Sequence, residues 1–212
     1  MATDARTTRK QLKRDQIRAG ARRLFLEQGF AGASTDAIAA AASVSKQTLY
    51  AYYPTKEDLL TDVLQQLVDG LPHGSFVTAL SDHPIDAPET LRMLLVDLAQ
   101  RISNSIMQPD YIALMRVLIA EAPRLPQLSH LFTSTAPERA FRSIAILLRE
   151  AHRSGVVNIP DVDAATRLFI GPLLTYAILD GLFVPDGPPR PPAPERITAV
   201  IDLFMQSITV ST

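Results

Sequence analysis

With 212 residues, 47% of them hydrophobic, and a net charge of −1, the chain has apolar content for the core of one large or two small domains. It has no cysteine, which excludes disulfides, Cys-based zinc sites and thiol catalysis. No N-terminal apolar run reads as a signal peptide and no 18-residue apolar stretch reads as a membrane span, so a cytoplasmic protein without a membrane partner is expected. The near-zero charge hides an asymmetry. Residues 1–58 hold 10 Lys and Arg against 6 Asp and Glu, or +4, while residues 59–212 hold 11 against 16, or −5. All four lysines (Lys10, Lys13, Lys46, Lys56) fall in the basic part. A basic head on an acidic body suits a protein that holds a polyanion at one end.

In chain order, the polar stretch RTTRKQLKRDQ is expected to fray until about Lys10, as a solubilising tail or as an arm that touches phosphate or enters the minor groove. A first helix is predicted from about Arg9 to Gln28, with Leu12, Ile17, Ala21, Leu24 and Phe25 as its apolar stripe. Gly29 ends it as a left-handed residue, and Phe30 packs under the short helices beyond it. Between Thr35 and Leu60 the chain reads TDAIAAAASVSKQTLYAYYPTKEDLL, two short helices around a tight turn and the start of a third. Thr35 and Ser45 are the expected N-caps, and Thr55 with Asp58 forms a capping-box-like start. The second short helix carries Lys46, Gln47, Thr48, Tyr50 and Tyr52 with only Leu49 strongly apolar. Leu49 is placed to pack on Ile38, and Lys46 with Tyr50 shares a face at i and i+4. A helix with one side on a core and hydrogen-bonding groups on the other is what a helix-turn-helix lays into the DNA major groove.

A helix is expected over Lys56–Asp69, with Leu59, Leu60, Val63, Leu64 and Leu67 inward, ended by Gly70, Pro72 and Gly74. Further helices are expected over 88–107, 110–121, 126–133, 137–154, 161–183 and 194–209, separated by proline-containing breaks. No useful strand-like alternation occurs, so the fold class is all-α, with about nine helices. The expected domains are 1–56, binding DNA, and 57–212, binding ligand and forming the dimer. Residues 164–183 are apolar nearly all round, which implies full burial or an interface. Residues 197–208 carry Ile197, Val200, Ile201, Phe204 and Ile208 at helical spacing, and the linker VPDGPPRPPAP is too rich in proline for a helix.

The residues Phe25, Gly29, Phe30, Thr35, Ile38, Ala39, Ala42, Ser43, Val44, Ser45, Thr48, Leu49, Tyr50, Tyr52, Tyr53, Thr55, Lys56 and Leu59 stand in the order and spacing of a known pattern. That stretch, about a quarter of the chain, resembles the DNA-binding domain of the tetracycline-repressor (TetR) family of bacterial transcription regulators. The segment AEAPRLPQLSHLF resembles the body of the AefR-like or AcrR-like subset. There are three departures. Ser43 stands where Gly is usual, Gln47 where Gly or Pro is common, and Tyr53 where Phe is common. If the backbone at Ser43 is left-handed, serine costs on the order of 1 kcal/mol against glycine.

The resemblance implies a ligand-responsive regulator, by family default a repressor, on a palindromic DNA operator in the bacterial cytoplasm. With residue chemistry, it makes Thr35, Tyr50, Tyr52 and Lys56 phosphate anchors and Lys46, Gln47 and Thr48 the base-facing set, over the cap Ser45. It implies a homodimer through Leu168, Gly171, Tyr176, Ile201 and Phe204. It also implies a pocket for a small, largely apolar effector, for which Met93, Met107, Met115, Phe141 and Phe169 are the candidates. No cofactor, metal site or catalytic residue is expected. The chain lacks the motifs of hydrolases, nucleotide-binding enzymes and zinc proteases, and His73, His83, His130 and His152 are scattered without metal-ligand spacing. A transcriptional activator and a non-specific architectural DNA-binding protein are the alternatives. The modest basic excess and the large acidic body weigh against the second.

Overall fold

The computed structural model describes residues 2–69, 85–125, 136–184 and 187–208. Among them are nine α-helices and no strand: α1 (Ala2–Gly32), α2 (Thr35–Ala41), α3 (Lys46–Tyr52), α4 (Lys56–Asp69), α5 (Pro88–Ile106), α6 (Pro109–Glu121), α7 (Ala136–Arg153), α8 (Val162–Ala177) and α9 (Pro194–Ile208). α8 runs on into a π-helical turn, Ile178–Leu182. The expected short helix 126–133, together with Gly70, Pro72, Gly74, His73, His83 and His130, lies outside the described residues. The described residues form two compact units. One is drawn from Met1–Gly70 and Ala113–Phe132, the other from Leu71–Ile112 and Thr133–Thr212.

The first unit is built on α1. Ile17, Ala21, Leu24 and Phe25 lie at i, i+4, i+7 and i+8 and are all buried. Leu12, expected in this stripe, is 65% exposed. Five residues before Ile17 it points about 140° away from the buried side. The helix begins at Ala2 rather than near Arg9. Its ladder breaks at Gly29, whose backbone (φ 71°, ψ 175°) is open to glycine and costly for other residues. Ile38, Ala39, Leu49 and Tyr53 from the short helices join the same core, as do Leu59, Leu60, Val63 and Leu64 of α4. α4, placed in the second domain by the sequence boundary at residue 56, therefore packs with the first unit. The end of α6 (Leu114, Val117, Leu118) contributes to that core as well.

The second unit packs α5, α7, α8 and α9 around Leu95, Leu98, Ile144, Leu148, Phe169, Leu173, Ile201 and Phe204. Phe169 and Phe204 meet edge-on at 5.7 Å, a favoured aromatic geometry. Arg92 Nε donates to Asp202 Oδ1 at 2.6 Å and ties the surfaces of α5 and α9. Within α8, Pro172 has no N–H to give to the preceding turn. One side of α8 is buried (Ala165, Phe169, Ile170, Leu173, Ala177). The opposite side, with its π-helical extension, exposes Leu168, Leu174, Ile178, Leu179 and Phe183. Full burial, one expectation for this segment, thus holds for only half of its circumference. Val162–Leu182 is also, by length and composition alone, long and apolar enough to cross a membrane, contrary to the sequence reading.

Candidate nucleic-acid interface

Each element of the helix-turn-helix is held at its ends by local hydrogen bonds. Ser34, not Thr35, caps α2: its Oγ accepts from Ala37 N at 3.1 Å. Thr35 is the first helical residue and half-buried. The two hydroxyls are adjacent, and which one caps depends on where the backbone turns helical. α2 closes in a Schellman arrangement, with Val44 N donating to Ala39 O and Ser43 N to Ala40 O, both at 3.0 Å. That arrangement requires a left-handed residue, and Ser43 supplies it at φ 49°. Ser45 Oγ accepts from Thr48 N at 3.0 Å and also lies 2.8 Å from Thr48 Oγ1, so it caps α3 and engages the Thr48 hydroxyl. Thr55 and Asp58 form the reciprocal box at the start of α4, with bonds of 3.2 and 3.0 Å. A seven-residue helix is marginal by itself, and these caps with one buried side are what hold α3.

α3 turns Leu49 into the core beside Ile38 and leaves Lys46, Gln47, Tyr50 and Ala51 exposed. Thr48 and Tyr52 are half-buried at the flanks. Lys46 Nζ lies 2.9 Å from Asp36 Oδ1 and 3.0 Å from Asp36 Oδ2, an ion pair across the turn. Its pKa is raised by the hydrogen bond and charge of Asp36. Lys56, half-buried, places its ammonium 4.3 Å from the Phe30 ring centroid, a cation–π distance. The kink of α1 at Gly29 therefore helps to position that cation.

Behind α3 lies a polar cluster that no spacing in the sequence revealed. Tyr53 Oη donates to Asp62 Oδ2 at 2.5 Å and accepts from Arg14 Nε at 3.2 Å. Arg14 Nε also reaches Asp62 Oδ2 at 3.2 Å, and its guanidinium lies 5.4 Å from the Tyr53 ring centroid. Arg18 adds a 3.7 Å ion pair to Asp62 and a hydrogen bond to Asp15. Burial, and then the donated bond to Asp62, pushes the Tyr53 phenol up to about 12. It therefore remains a donor throughout the neutral range. The hydroxyl that distinguishes Tyr53 from the more usual Phe thus ties the end of α3 to α1 and α4.

The candidates in the second unit fare unevenly. Met107 and Phe169 lie in its core, and Phe141 is half-buried on that core with the Arg167 guanidinium 5.8 Å from its ring. Met93 is 63% exposed, because it falls between the buried Leu91 and Leu95 on the far side of α5. Met115 packs on the core of the first unit, where the end of α6 belongs. Met107, Phe141 and Phe169 are thus the three of these five that lie in or on the second unit's core. Of the proposed dimer residues, Leu168 is 53% exposed, and Gly171 and Tyr176 are half-buried. Ile201 and Phe204 are buried in the chain's own core and present nothing to a partner. A single apolar stripe serves one side of α9, and within one chain that side faces α5 and α8. Leu203, on the other side of α9, is exposed instead. His152 Nδ1, in the last turn of α7, accepts from Ile159 N in the loop beyond at 3.2 Å, a satisfied polar side chain.

Two family profiles match the chain. Residues 17–63 match the bacterial regulatory proteins of the tetR family, and residues 93–207 match the C-terminal domain of AefR-like transcriptional repressors. The chain is 26% identical over 194 residues to Rv1556 of Mycobacterium tuberculosis, described as an uncharacterized HTH-type transcriptional regulator, covering 90% of this chain and 85% of that protein. The solved structure of the flavonoid-responsive regulator FrrA is 31% identical, with 94% of this chain and 98% of that one covered at a TM-score of 0.65. A TetR transcriptional regulator from Agrobacterium tumefaciens, 20% identical, has the same fold over 94% of this chain and 95% of that one, with a TM-score of 0.78.

Proposed function

The chain belongs to the TetR family of bacterial transcription regulators, and on that premise we propose that it is a repressor that grips a palindromic operator as a two-fold dimer and is released by a small, largely apolar effector. The observation that carries the DNA reading is α3 itself. Lys46, Gln47 and Tyr50 stand exposed on a helix whose Leu49 is anchored in the core and whose ends are capped. Gln47 can pair with adenine and Lys46 with guanine through base edges, while Tyr50, Tyr52, Thr35 and Lys56 take phosphates. Thr48, with its hydroxyl on Ser45, reads bases from the flank.

The exposed apolar side of α8 and its π-helical extension supports the dimer. Leu168, Leu174, Ile178, Leu179 and Phe183, with Leu203 on α9, form apolar surface of the kind that soluble proteins cover with a partner. That use also accounts for Val162–Leu182 without a membrane. A repressor is favoured because the second-unit profile is one of repressors, and a small-molecule effector because FrrA is named for its response to flavonoids. Release is a population shift: an effector that binds better to the state with mismatched recognition helices lowers operator affinity by its differential affinity alone.

The test is selection of bound duplexes from a random DNA pool at near-physiological salt, with sedimentation of the free protein alongside. The expected result is a palindrome whose half-sites lie about one helical turn apart, roughly 34–36 Å, bound by a dimer. Enrichment of no sequence would refute the specific regulator. A monomer in solution, unchanged by Leu179→Asp, would refute the dimer surface.

A further inference from the structure

The helix-turn-helix proper is almost without charge. Between Ser34 and Tyr53 the only acidic or basic side chains are Asp36 and Lys46, and they are paired with each other. Both carboxylate oxygens approach the ammonium, at 2.9 and 3.0 Å. The partners are ten residues apart, one in the first turn of α2 and the other at the start of α3, so the turn between the helices brings them together. The Asp36 side chain is 73% exposed and that of Lys46 is 50% exposed. An ion pair so open to water does little for the fold. Its consequence lies in what meets it from outside, and on this reading of α3 what meets it is DNA.

We propose that Asp36 is a specificity-determining residue of the DNA-reading surface, acting by withholding Lys46 from the phosphate backbone of DNA of arbitrary sequence. The inference rests on α3 being the recognition helix. Affinity for DNA regardless of sequence comes from cations that neutralise phosphates and release counterions, each adding about 0.9 to the slope of log affinity against log salt. A lysine held by a carboxylate adds nothing to that count, because a phosphate that takes the ammonium leaves Asp36 unpaired beside a polyanion. The exposed cations of α1, such as Arg9, Lys10 and Arg23, remain to supply general attraction. On DNA of arbitrary sequence the base-facing set is left with the neutral groups of Gln47 and Thr48, and Asp36 gives up Lys46 only to a guanine edge, so each contact depends on the base presented.

The experiment compares wild type, Asp36→Asn, Lys46→Gln and the double variant, all full-length. Each is titrated at several salt concentrations against the duplex selected from the random pool and against a scrambled duplex of equal length and composition. Asp36→Asn should bind the scrambled duplex roughly three- to tenfold tighter, with a salt slope steeper by about 0.9 per protomer. Selected-duplex affinity should rise less, so the ratio of the two falls. Lys46→Gln and the double variant should not differ from each other on the scrambled duplex. Equal loss on both duplexes, repeated by Asp36→Ser, would mean that Asp36 serves only α2 and would overturn the proposal. A gain that persists undiminished without Lys46 would overturn it too, since plain repulsion would then suffice. If wild type shows no sequence preference, the regulator reading fails separately, while the scrambled-duplex comparison still decides what Asp36 does to Lys46.

Discussion

Replacing Tyr53 by Phe removes one oxygen atom from the first unit and leaves the ring in place. Tyr53 is buried, and its hydroxyl gives a 2.5 Å bond to Asp62 and takes a 3.2 Å bond from Arg14. A hydrogen bond to a charged group contributes about 1.5–3 kcal/mol. Asp62 keeps Arg14 at 3.2 Å and Arg18 at 3.7 Å, so no carboxylate is left stranded and the loss falls at the lower end. The expected destabilisation is about 1–2 kcal/mol, a fall in melting temperature of roughly 3–6 °C for a chain of this size. A second signature lies in alkali. The phenol's folded pKa of about 12 stands above its ordinary 10.0, so its contribution is complete below about pH 10 and is lost as pH rises towards 12. Tyr111, whose phenol is pushed up to about 12 by burial, acts in the same window. Wild-type stability should therefore fall between about pH 10 and 12 by up to roughly 1.4 kcal/mol per pH unit for each of the two protons. Tyr53→Phe should remove one of them and Tyr111→Phe the other. The assay is urea unfolding followed by circular dichroism at neutral and at alkaline pH. An unchanged midpoint near neutrality, or an alkaline fall that Tyr53→Phe leaves intact, would refute the reasoning.

Four further outcomes are expected. Gly20→Ala should destabilise the first unit by about 1–3 kcal/mol in urea unfolding, because the added Cβ would lie 3.0 Å from Ala42 N and 3.2 Å from Ala41 C, backbone atoms that cannot yield cheaply. Ser43→Gly should stabilise by roughly 0.5–1 kcal/mol, since it relieves a left-handed residue while keeping the Schellman bonds; a loss of stability would mean that the Ser43 side chain matters more than its backbone. Gln47→Ala should cost about 1–3 kcal/mol on the selected operator and relax preference at one base position, whereas Lys56→Ala should weaken all duplexes alike and flatten the salt dependence.

Sequence alone determined the all-α class, the family, and most of the local chemistry of the reading head. The caps at Ser45 and at Thr55 with Asp58, the left-handed position at Ser43 and the inward Leu49 are set by residues within a turn or two of one another, where spacing is geometry. The Thr35 cap missed by one residue because two adjacent hydroxyls compete for one role. Tertiary structure decided what depends on distant parts of the chain. Asp36 meets Lys46, and Arg14 meets Tyr53 and Asp62, only because particular turns bring their helices together, and no periodicity records those turns. The apolar side chains of α8 and α9 look alike in sequence. Packing alone gave the Ile201 and Phe204 stripe of α9 to the chain's own core, and on α8 it left Leu168 and Leu179 outside, since a helix that is apolar nearly all round does not say which side its core will take.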